Sequence, residues 1–208
     1  MSFQKVPINQ IAEFVPENSV SFLLKQLQDF NIKLKIVSER KTILGTYTFD
    51  NFQKRHVITI NANLNKYLFL TTLLHEIAHL IVYVKYPNQR VSPHGKEWKM
   101  EYQKILSFAL AENFFPEDIQ KAIEKSLHKI SFSSCTDIEL YKALRKYDAN
   151  NESKIYVESI QINETFKLKD GREFLNKGRK VKRYLCEEVR TGKLYYFHPL
   201  YEVKKKEA

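Results

Sequence analysis

Two cysteines in 208 residues, Cys135 and Cys186, are too few for a disulfide framework. No secretion is expected either: "MSFQKVPINQIAEF" has no continuous apolar stretch behind a basic start. The expected setting is therefore a reducing cytoplasm. No clean apolar run is long enough to cross a bilayer. The nearest candidate, 64–84, would carry Lys66, His75, Glu76 and His79 into hydrocarbon, so it reads as the buried helix of a soluble protein with no membrane partner. Glycine is scarce at five residues, and three of them fall late, in "KDG", "NKG" and "RTG", where tight turns are expected. There is no internal repeat.

Acid is also in deficit: 34 Lys and Arg face 24 Asp and Glu, a net charge of +10. A chain this positive attracts polyanions, although charge says little about fold. Half of the excess, 14 cations against 9 acids, sits in residues 151–208. The length suits one domain and a small appendage. The break is expected at "ANNES", giving a domain over 1–150 and a basic module over 151–208.

Within 1–150 the pattern is mixed, and the expected class is α+β. Apolar residues at 20, 23, 24 and 27 follow a helical period after Pro16. "IKLKIV", "TILGTYTF" and "RHVITIN" read as three strands of a short antiparallel sheet with a turn near "FDNF". Helices follow over about 65–86, stopped by Pro87, over about 95–109, after Pro116, and in "TDIELYKALRKYD", where Thr136 and Glu139 have capping-box spacing. Beyond residue 155, "IYVESI", "TFKL", "REFL", "VKRYLCEEV" and "KLYYF" read as short strands of a small barrel or curled sheet.

The chemistry is concentrated in "TTLLHEIAHLIVYVKYPNQRVSPHGKEW" (71–98). On a helix His75 and His79 lie one turn apart on the same face, which makes a chelate for a metal ion. Neutral imidazole suits Zn²⁺, and Glu76, beside the first His, can stand next to a bound water as general base without ligating the metal. Apolar neighbours surround the three, and burying two His and a Glu without a metal would be costly. A third ligand is needed: Glu97 or Glu101 would give a His₂Glu set, and His94 would give His₃. Pro93 and Gly95 favour His94, because they rigidify its approach and let the backbone come close at a helix start. Trp98, one turn on, would brace it. The other histidines, His56, His128 and His198, read as surface or structural residues.

The residues His75, Glu76 and His79, followed by His94, Gly95 and Trp98, closely resemble the SprT family, bacterial relatives of the Spartan proteases. The similarity covers roughly 16–115 and includes the strands before "LLHEIAHL". It implies a zincin-like metalloprotease core with one zinc on His75, His79 and His94 and with Glu76 as catalytic base. It also implies proteins bound or crosslinked to DNA as substrates. The chain departs from many members in lacking the cysteines of a C-terminal zinc ribbon. Its tail instead interleaves Tyr156, Phe166, Phe174, Tyr184, Tyr195, Tyr196, Phe197 and Tyr201 with Lys and Arg. An SH3-like or OB-like module binding nucleic acid, single-stranded DNA in particular, would show that pattern. A non-catalytic DNA-associated regulator holding a zinc, and a general peptidase indifferent to DNA, are the alternatives. Glu76 speaks against the first, since a structural zinc normally closes with a fourth side-chain ligand.

Overall fold

Thirteen of the twenty residues of one helix, α2 (Lys66–Lys85), are buried, so it has no polar face and must be wrapped on all sides. The computed structural model describes residues 8–40, 43–87, 89–127, 137–149 and 155–205. It is α+β and divides into two compact units, Met1–Asp148 and Ala149–Ala208. His128, Thr136 and the 150–153 part of the "ANNES" boundary lie outside the described residues. By length and hydropathy α2 would suit a membrane span, but 67% of that window is buried inside the fold.

The start of α2 is set by Asn65, whose side-chain oxygen accepts from the N–H groups of Tyr67 and Leu68. The same amide donates to the Leu144 carbonyl and to Asp148, tying the helix start to α5 (Ile138–Arg145). The cap of α5 is Asp137, which accepts from Glu139 and Leu140 N–H. α1 (Val20–Asp29) buries Leu23 and Leu27, one turn apart. α3 (Lys96–Ala111) buries Trp98, Tyr102, Ile105, Leu106 and Ala109, a helical stripe packed on α2. α4 (Glu117–Leu127) follows, with Ile119 and Ile123 in the same core.

The strands β1 (Ile32–Val37), β2 (Gly45–Asp50) and β3 (Arg55–Asn61) form a sheet in the order β1-β3-β2. β2 and β3 are an antiparallel hairpin whose turn is closed by Asp50, which accepts from Phe52 and Gln53 N–H. The sequence suggested a wholly antiparallel sheet, and that is corrected here: β1 runs parallel to β3. The reason lies in the side chains. The middle of β3, "VITI", carries no charge and buries Ile58 and Ile60 completely, so it takes the centre. β1 alternates Lys33 and Lys35 with its apolar residues, a pattern suited to an edge.

The second unit has β4 (Ile155–Tyr156), β5 (Thr165–Lys167), β6 (Glu173–Lys180), β7 (Arg183–Glu188), β8 (Leu194–Phe197) and β9 (Glu202–Lys205). All pairs are antiparallel, in the order β4-β9-β5-β6-β7-β8. "NKG" is not the turn its glycine suggested. Gly178 (φ 105°) sits in a bulge within β6, held by its N–H donating to the buried Asn176 side chain, and the hairpin turns at Val181 and Lys182 instead. Phe166, Phe174 and Phe197 fill the core with Val157, Cys186 and Val203, whereas Tyr196 and Tyr201 are exposed.

Candidate metal centre

The helical period of α2 puts His75 and His79 on one face, and a turn outside the helix delivers the third ring. Ser92 to Gly95 form a tight turn closed by the Gly95 N–H donating to the Ser92 carbonyl at 2.9 Å. Pro93 holds its second position, and His94, at φ 57°, holds the third. That is the arrangement of a type II turn, whose third position ordinarily takes Gly or Asn, so His94 is held in a strained backbone state. A Cβ at Gly95 would sit 2.9 Å from the Ser92 carbonyl, which explains the glycine. α3 then starts at Lys96 and turns Trp98 back under the cluster.

The three Nε2 atoms form a triangle with edges of 3.2 Å (His75–His79), 3.0 Å (His79–His94) and 3.0 Å (His75–His94). No placement of protons satisfies all three edges. One N–H leaves two lone pairs facing each other, two leave a donor facing a donor, and a cation between them resolves the conflict. A tetrahedral ion with bonds of about 2.0–2.1 Å sets its ligand nitrogens about 3.3–3.4 Å apart, close to this triangle. Among the described residues this is the group of metal-ligating side chains whose ligand atoms all lie within 4.8 Å of one another.

The electrostatics favour the neutral, ligating form. Burial, then the charge of the neighbouring rings, pushes His75 down to about 3 and His79 down to about 4, and burial lowers His94 as well. Trp98 is buried beneath all three rings, with centroids 4.6 Å from His75, 5.3 Å from His79 and 4.7 Å from His94. Tyr102, one turn further on α3, stands edge-on to His75 at 5.6 Å. Glu101 is not in the cluster. Burial opposes its charge, but hydrogen bonds from Lys85 (2.8 Å) and Lys104 (3.1 Å) outweigh that and hold its carboxyl below the ordinary value. Glu97 lies in the first turn of α3 and is not in the cluster either.

Glu76 is buried on the side of α2 that meets β2. Burial pushes its carboxyl up to about 7, against the opposing pull of the Arg40 guanidinium and a hydrogen bond from the Tyr47 backbone N–H. Arg40 is itself fixed, donating to Asn61 at 2.8 Å and to Thr59 at 3.0 Å. Gly45 makes the close approach possible: a Cβ there would lie 2.7 Å from Thr72 Cγ2 and 3.0 Å from Glu76 Oε1. Sequence reasoning missed Arg40, Gly45, Tyr47 and Tyr102. A lone glycine in a strand pattern was the one signal that pointed to close packing.

His56, read as a bland residue, packs against this region: its Nδ1 lies 3.0 Å from the Tyr47 hydroxyl, and Phe49 and Tyr83 complete an aromatic cluster. His198 lies in the second unit, where its Nδ1 accepts from the Leu200 N–H. No curated protein and no solved structure matches the chain. Residues 12–121, just over half of the 208, match the model of the SprT-like family. With the three-histidine cluster lying inside that span, the chain belongs to the SprT-like family.

Proposed function

We propose that this protein is a zinc-dependent metallopeptidase with a zincin-like core, acting in the cytoplasm on proteins bound or crosslinked to DNA. The observation that carries the reading is the triangle of histidine nitrogens with a buried carboxylate on the adjacent residue. His75, His79 and His94 would hold the metal, and three neutral imidazoles match the protein ligand set of a catalytic zinc. Bound there, zinc would supply Lewis acidity toward a peptide carbonyl and an attacking water. Glu76 takes the proton from the attacking water and returns it to the departing amide nitrogen, so one carboxyl serves as base and then as acid. Trp98 and Tyr102 keep the rings from turning away, which preserves the geometry between encounters.

For the second unit we propose an SH3-like or OB-like module that binds nucleic acid, single-stranded DNA in particular, spanning 151–208 and following in sequence a protease domain over 1–150. The β6–β7 hairpin supports this. Arg179, Lys180, Lys182 and Arg183 are all exposed around its tip, and no acidic residue lies between Gly178 and Leu185. Tyr196 and Tyr201 offer exposed faces for stacking, whereas Phe166, Phe174 and Phe197 are committed to the core.

The test is digestion of a DNA-binding protein by the purified, zinc-loaded chain, with no DNA, single-stranded DNA or duplex. Fragments that appear with wild type and vanish with Glu76→Gln support a peptidase, and stimulation by single strands supports the DNA role. Absence of fragments under all three conditions would point to a regulator that holds zinc without turnover.

A further inference from the structure

A cavity of about 450 Å³ opens beside the histidine cluster, and His79 forms part of its wall. Val82 and Tyr83 line it from the last turns of α2, Tyr47 from β2, Val91 from the loop before His94, and Trp98 from α3. Among the described residues, no Asp, Glu, Lys or Arg lines it. Its aromatic side is stiff: Tyr47 and Tyr83 meet edge-on at 6.0 Å, Phe49 stacks on Tyr83 at 5.1 Å, and His56 backs the Tyr47 hydroxyl at 3.0 Å.

We propose that this cavity selects the substrate by taking a large apolar or aromatic side chain of the residue next to the scissile peptide bond. This rests on the peptidase reading above. Because His79 belongs both to the cavity wall and to the cluster, a side chain seated here belongs to a residue whose own peptide bond lies at the cluster. A Lys, Arg, Asp or Glu side chain would lose its water in the cavity and find no opposite charge, a penalty that Leu, Met, Phe or Tyr escapes. The size suits such a guest, falling within the range of ordinary ligand pockets. Gln89 and Ser92, exposed residues of the lining, supply polar groups for the backbone of the guest residue. One methylene more or less in an apolar pocket changes discrimination by about 10-fold to 200-fold, so a preference of at least about 10-fold is expected between an apolar and a charged side chain.

Two readouts test this. In the first, the zinc-loaded full chain cleaves a mixed peptide library and the cut positions are mapped by mass spectrometry. Leu, Met, Phe or Tyr should dominate one fixed position beside the cut by at least about 10-fold over Lys and Glu. Val91→Phe should shift that position toward Ala and Ser. Gln89→Glu, an exposed change that leaves packing alone, should raise acceptance of Lys. The second readout needs no turnover. Trp98 is the chain's single tryptophan and lines the cavity, so its emission reports occupancy. Blocked Gly-Gly-X-Gly peptides titrated into zinc-loaded Glu76→Gln protein should bind at least about 10-fold tighter for X = Leu or Phe than for X = Lys or Glu. Equal affinity for every X, no emission change, or a cut position indifferent to side chain in wild type and both variants would overturn the pocket. Selective binding of Leu and Phe peptides by a wild-type protein that cuts nothing would uphold the pocket and overturn the peptidase reading.

Discussion

Glu76 shows at the scale of one residue how burial couples chemistry to stability. Without metal, burial holds its carboxyl up to about 7 from 4.5, despite Arg40 and the Tyr47 N–H. The folded chain keeps a proton that the unfolded chain releases. Stability contributed by this group therefore falls as pH rises from 4.5 to 7, by on the order of 3 kcal/mol. His75 and His79 act in a different window: burial holds them down to about 3 and about 4, so below 6.5 the unfolded chain binds protons that the folded chain refuses. Their effect is a loss of stability as pH falls from 6.5 toward 4. Glu76→Gln removes the first effect only. In metal-free protein its melting temperature should draw ahead of wild type between pH 5 and pH 8, and a constant gap across that range would show that the carboxylate is solvated. Of the residues in the site, His75, Glu76, His79, His94 and Trp98 were legible because their spacing is local. Arg40 and Tyr47 were not, because a loop and a strand bring them to Glu76 through tertiary packing alone.

At the scale of elements, the contact between β2 and α2 sets where Glu76 stands. Gly45 lets the strand lie against the helix, and the added Cβ of Gly45→Ala meets Thr72 and the Glu76 carboxylate. A displacement of the order of 1 Å in a catalytic group can cost about 100-fold. Gly45→Ala should lower kcat by about 10-fold to 100-fold with zinc content unchanged, and full activity would mean the strand yields without moving Glu76. The helices were readable from apolar period and proline, as at Pro87, whereas the Asn65 cap of α2 came only with the structure. Strand direction was not readable: alternation in "IKLKIV" identifies a strand but not its partner, and the uncharged middle of β3 decided the order. The "NKG" turn failed for a related reason, since a glycine serves a bulge as well as a turn and Asn176 claimed it for the bulge.

At the scale of the whole molecule, the family match covers residues 12–121 and leaves the second unit to its own physics. If its hairpin neutralises phosphates, replacing Arg179, Lys180, Lys182 and Arg183 by Ala should flatten the salt dependence of single-strand binding. The loss of slope would be up to about 3, at about 0.7 per phosphate contact. An unchanged slope would assign that hairpin to something other than nucleic acid. The same basic tail leaves the metal question untouched, because the histidine cluster lies wholly in the first unit. The decisive measurement is zinc per chain by elemental analysis of purified wild type, His75→Ala, His79→Ala, His94→Ala, Glu101→Ala and Glu76→Gln. The expected result is one zinc in wild type, Glu101→Ala and Glu76→Gln, and loss in each histidine variant. Zinc retained in His94→Ala, or lost from Glu76→Gln, would contradict the three-histidine site with a free carboxylate base.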